Sequence, residues 1–103
     1  MKLLTKELEK RFSAVGSQDG KGEAAVAVVK FFHPSGNWTW LATEFDPETR
    51  EFFGYVKGFE GEWGYFSLDE LETVKAGPFG LGVERDLYFR EKTVREALAE
   101  LGS

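Results

Sequence analysis

Hydrophobic positions change their spacing several times along the chain, and each change marks an element. Leu4, Leu8 and Phe12 recur every fourth residue. That is the period of one helix face, and it predicts a short amphipathic helix over 4–12. Thr5 stands where an N-cap hydroxyl is wanted, with Glu7 in the first turn. Glu7 and Arg11, four apart, are expected to pair on the outer side. From Ser13 to Glu23 the apolar signal gives way to Gly, Ser, Gln and Asp, so a surface loop is expected. Ala24 to Phe32 is a valine-rich run bounded by turn residues and reads as one central strand. His33-Pro34-Ser35-Gly36-Asn37 is a turn by composition, which places His33 at the surface.

Strands are predicted next at Trp38–Phe45, Glu51–Lys57 and Glu62–Phe66. Between them lie Asp46-Pro47-Glu48-Thr49, with Asp and Pro where a type I turn wants them, and Gly58-Phe59-Glu60-Gly61. Connections this short force antiparallel neighbours, so these strands form a meander. Glycines in the stretches 54–58 and 77–82 lack the pattern of a phosphate-cradling loop and are assigned to turns and bulges. Ser67 followed by Glu70 is a capping box that opens a helix from Leu68 to about Lys75, stopped by Gly77-Pro78. An apolar loop, 79–82, leads to a fifth strand, Val83–Phe89. Thr93 and Glu96 form a second capping box for a helix through Leu101, with Val94, Leu98 and Leu101 facing inward. The fold class is α+β: a single domain over 1–103, with a central antiparallel sheet of about five strands. Short helices flank it at the N-terminus, after the meander and at the C-terminus.

Composition narrows the function classes. Sixteen aromatics in 103 residues can bury more surface than a disordered chain would. The longest apolar run, Ala24–Val29, is too short for a membrane span. Met1-Lys2-Leu3-Leu4 leads straight into charged residues, unlike a secretory signal, so a cytoplasmic location is expected. With no cysteine and with His33 as the one histidine, thiol chemistry, Cys-ligated metals and multi-histidine sites are excluded. The net charge of −5 is concentrated: residues 41–72 carry nine acids against Arg50 and Lys57. Such a segment repels duplex DNA and suits a basic protein partner.

Four stretches carry a family resemblance. They are Met1-Lys2-Leu3-Leu4-Thr5-Lys6-Glu7, Trp40 to Glu48, Gly64 to Glu72 and Gly80 to Phe89. Together they resemble the family known as domain of unknown function 2958. The resemblance implies small bacterial proteins, often encoded on plasmids, phages and other mobile elements. Some lie beside or are fused to DNA-handling modules. It brings no catalytic or binding residues with it.

The residues themselves suggest three constellations. Strict alternation puts Trp38, Trp40, Ala42 and Glu44 on one face of their strand, and Val83, Arg85, Leu87 and Phe89 on one face of theirs. Glu44 and Arg85 are therefore expected to meet, as an ion pair or as a polar pocket beside Trp38 and Trp40. Glu44, Asp46, Glu48, Glu84 and Asp86 would form a hard-cation site only if their strands were adjacent. Trp38, Trp40, Phe53, Tyr55, Trp63 and Tyr65 could stack single-stranded bases if exposed, but are assigned to the core. The reading favours a non-enzymatic accessory protein of a mobile element, without cofactor or metal. Its acidic surface, with Glu48, Glu60 and Glu62, would bind a protein partner. The alternatives are a metal-dependent enzyme on nucleic acid or nucleotides and a single-stranded nucleic-acid-binding module.

Overall fold

The computed structural model describes residues 2–34, 36–76 and 81–102. Helix α1 (Lys6–Val15) is capped by Thr5, whose hydroxyl accepts the Leu8 N–H at 3.2 Å. The helix runs three residues beyond Phe12 because Val15 still packs on the core. It ends at Gly16, which takes φ +70° as the terminating residue. Arg11 turns to Glu91 rather than to Glu7, with two contacts of 2.7 and 2.8 Å. Those bonds hold the Glu91 carboxyl below the ordinary glutamate range and raise Arg11.

The expected strand over 24–32 divides in two. After a single 3₁₀ turn (Gly22–Ala24), β1 (Val26–Ala27) and β2 (Val29–Phe32) are separated at Val28, whose N–H donates to Ala42 O at 2.9 Å. β1 departs to pair with β9 (Lys92–Thr93), while β2 pairs with β3 (Thr39–Asp46). β4 (Glu51–Lys57) and β5 (Gly61–Ser67) complete the meander as expected. α2 (Leu68–Thr73) begins on the Ser67 cap and stops at Val74, two residues early, where the chain turns extended into β6 (Lys75–Ala76). The Gly77-Pro78 stop and the start of the apolar loop lie outside the described residues. Leu81–Gly82 forms β7, paired with β6.

The fifth strand is far shorter than Val83–Phe89. Only β8 (Glu84–Arg85) joins the sheet, against β2. Asp86 ends it: its N–H donates to Lys30 O, and its side chain accepts the Tyr88 N–H at 2.9 Å, turning the chain away. The sheet order is β5-β4-β3-β2-β8, antiparallel throughout. α3 (Val94–Leu101) carries the predicted capping box. Thr93 and Glu96 bond reciprocally, and these bonds hold Glu96 below the ordinary range.

The sheet separates two cores. On one face Phe12 of α1, Leu68 and Leu71 of α2, and Leu3 close over Phe31, Ala42, Phe52 and Phe66. On the other, Val94 and Ala97 of α3 press with Ala27 on Leu41. Val94 heads the α3 stripe as expected, with Ala97 beside it and Leu98 and Leu101 only partly covered. His33, expected at the surface, is buried in the turn, where its N–H donates to Trp38 O. No helix of the described residues is long and apolar enough to cross a membrane.

Candidate functional site

The register assigns side chains to faces, and a bulge in β3 reverses the expected assignment of one of them. Trp40 opposes Val56 and Ala42 opposes Gly54, but the next partners are Glu44 with Phe53 and Phe45 with Phe52. Thr43 is the extra residue. One inserted residue inverts the alternation beyond it. Trp40 and Ala42 therefore face the core with Phe31 and Phe52, whereas Glu44 joins Leu41, Phe53 and Tyr55 on the opposite face. Arg85 opposes Phe31, which opposes Trp40. Trp38, Trp40 and Arg85 thus belong to one face and Glu44 to the other. The proposed Glu44–Arg85 meeting does not occur.

Glu44 has a different partner. The loop after α1 sends Gln18, almost fully buried, into the gap between β1 and the bulge. Its Nε2 donates to Val26 O and Thr43 O, both at 2.8 Å. Its Oε1 accepts the Val26 N–H at 2.7 Å. Its own backbone N–H donates to Glu44 Oε2 at 3.0 Å. One side chain thus satisfies main-chain groups that two interrupted strands leave over. Thr43 fixes the other side by donating from Oγ1 to Phe53 O.

On the Glu44 face, α3 covers the sheet only as far as Leu41 and Tyr55. Beyond it stand Phe53, Trp63 and Tyr65. Trp63 is 37% exposed and Tyr65 75%. The Phe53 and Trp63 rings lie nearly parallel, 14° apart with centroids at 6.1 Å. Tyr65 meets Phe53 edge-on at 5.0 Å, and Tyr55 meets Trp63 edge-on at 5.3 Å. Two hollows adjoin this cluster, of about 240 and 210 Å³, and share Glu44 and Phe53. Their walls carry the carboxylates of Asp19, Glu44, Asp46 and Glu51 and, among the described residues, no lysine or arginine. The result is an open aromatic surface rimmed by negative charge, chemistry that attracts cations and repels phosphate.

The six sheet aromatics assigned to the core are not in its centre. Trp38, Trp63 and Tyr65 are exposed, and Trp40, Phe53 and Tyr55 are half-buried, while Phe12, Phe31, Phe52 and Phe66 fill the side covered by α1 and α2. Trp38 stacks on Trp40 at 6.1 Å and meets the nearly bare Phe59 edge-on. A Cβ on Gly58 would come within 2.7 Å of the Trp38 ring, so the glycine lets the hairpin close on it. This second aromatic patch lies at the other end of the hairpins from Asp46 and Glu51.

Glu48, Glu60 and Glu62 are all exposed but do not form one patch. Glu48 sits in the β3–β4 turn, while Glu60 and Glu62 lie at the β4–β5 turn. Seven residues of β4 separate the two ends, roughly 20 Å. The larger carboxylate cluster is not assembled either. β2 intervenes between β3 and β8, and Asp86 pairs with Lys30 at 3.5 Å. Among the described residues no group of three or more His, Cys, Asp or Glu is placed to hold a metal ion.

Neither a curated protein nor a solved structure matches the chain. A family model does, over residues 3–101. With the match spanning nearly every element from Leu3 to the end of α3, the chain belongs to the family described as Protein of unknown function (DUF2958).

Proposed function

We propose that this domain works by binding, holding a basic segment of a protein partner on the open half of its sheet, without catalysis of its own. The observation that supports this reading is the Phe53–Trp63–Tyr65 cluster, with Trp63 and Tyr65 exposed and Asp19, Glu44, Asp46 and Glu51 around it. Aromatic rings anchor protein interfaces and take cations on their faces, and carboxylates around them raise the affinity for lysine and arginine. Glu48, Glu60 and Glu62 act at longer range. They steer a basic partner toward the surface, so reversing them slows association and weakens capture. The family resemblance supports a setting as accessory protein of a mobile genetic element, acting in the cytoplasm. Stacked aromatics also suit single-stranded bases, but four rim carboxylates oppose the phosphates that come with them.

The test is affinity capture from lysate of a bacterium carrying the gene, after nuclease treatment, with wild type and Tyr65→Ser in parallel. Tyr65 is mostly exposed, so its replacement costs about 1 kcal/mol through the edge-on contact with Phe53 and leaves the fold in place. The expected result is a protein retained by the wild type after nuclease and lost by Tyr65→Ser. A protein retained equally by both, or binding that disappears with nuclease, contradicts the reading.

A further inference from the structure

The five-stranded sheet ends in two unlike edges. On one side β8 is two residues long, and the Asp86 turn leads the chain away at once. On the other, β5 runs for seven residues and pairs with β4 in unbroken register, from Glu51 opposite Ser67 to Lys57 opposite Gly61. Among the described residues it pairs with no strand on its outer side. A strand with a single neighbour turns alternate N–H and C=O groups outward. Proteins guard such an edge with lysine, proline, a bulge or extreme shortness. β5, Gly-Glu-Trp-Gly-Tyr-Phe-Ser, has none of these, and the charge of Glu62 is the one guard in its sequence. A side chain at Gly64, mid-strand, would meet nothing within 4 Å.

We propose that the outer edge of β5 takes an extended, lysine- or arginine-bearing segment of a protein partner as a sixth strand. Charge selects this occupant. Glu60 precedes the strand, Glu62 lies in it, and Glu51 stands opposite its last residue, against Lys57 opposite its first. A second copy would bring two acidic edges together, between chains of net charge −5. An added strand alternates its side chains, so every second one lies on the face of Trp63 and Tyr65, where a cation meets exposed rings. The inference rests on the open face being a protein-binding surface, and adds the backbone as its anchor: main-chain hydrogen bonds hold the segment and alternate side chains select it.

The full chain is titrated with a seven-residue peptide alternating lysine and threonine. Two isomers are run beside it, N-methylated at the lysines or at the threonines. An added strand directs only alternate N–H groups at β5, so one isomer binds about tenfold or more weakly while the other keeps the parent affinity. The outward-pointing backbone amides within 62–66 gain protection from hydrogen exchange in the parent complex. Equal affinity of the two isomers overturns the edge, and the face reading survives if the parent peptide still binds. No binding of the parent peptide overturns both. A two-chain mass in sedimentation, with the β5 amides protected in the free protein, gives the edge to a second copy. Equal binding of an oligothymidine overturns the charge argument.

Discussion

A methyl group on Gly54 would land 1.9 Å from the Leu41 carbonyl oxygen and 3.0 Å from the Ala42 Cα, both backbone atoms that cannot swing aside. The glycine lets β4 approach β3 next to the bulge. Gly54→Ala is expected to cost about 3 kcal/mol or more, measured by urea denaturation; an unchanged midpoint would show that the bulge tolerates a side chain. Gln18 works from the other side. Gln18→Ala strips hydrogen bonds from Val26 and Thr43 in a buried place and should cost about 2–4 kcal/mol in the same measurement. A loss under about 0.5 kcal/mol would mean that water replaces it. The two differ in legibility. A lone glycine inside a strand pattern signals a bulge, although not which residue of the partner strand is extra. Gln18, in a polar loop, carries no pattern at all, since its role depends on main-chain groups far away in sequence.

Elements with local signals formed where expected. Thr5, Ser67 and Thr93 each cap a helix, because the hydroxyl and the N–H it accepts lie within three residues of each other. Elements whose limits depend on distant partners depart from the expected bounds. The 24–32 run divides because its first part is drawn to β9 and its second to β3. β8 is cut short by a turn that the alternation of Val83, Arg85, Leu87 and Phe89 hides. The capping box also predicts an acid response. Glu96 is held below the ordinary glutamate range by the backbone N–H and hydroxyl of Thr93, and Glu91 by the hydrogen bond from Arg11. A carboxyl with a lowered folded pKa contributes fully above its unfolded value, and the contribution is lost as pH falls through the folded one. The melting temperature should therefore drop on acidification below the ordinary glutamate pKa. Glu96→Gln keeps a neutral cap and should flatten that drop; an identical acid slope in this variant would contradict the assignment.

At the scale of the whole molecule, the fold class and the acidity of residues 41–72 were readable from the sequence, because period and charge are properties of single segments. The candidate site was not. Strict alternation placed Glu44 beside the tryptophans at 38 and 40, and the Thr43 insertion instead carries it to Phe53 and Trp63. Likewise, the uncovered half of the sheet follows from where α3 stops, a tertiary outcome that no strand pattern encodes. The central claim is that this open half receives basic protein segments. Its most direct test is a heteronuclear NMR titration of the whole chain with a lysine-rich peptide, following the indole N–H signals of the three tryptophans. The account predicts a saturable, salt-weakened shift of the Trp63 signal, with the Trp38 and Trp40 signals still and an acidic peptide of equal length without effect. Movement of Trp38 and Trp40 with Trp63 silent, or an equal response to the acidic peptide, would contradict it.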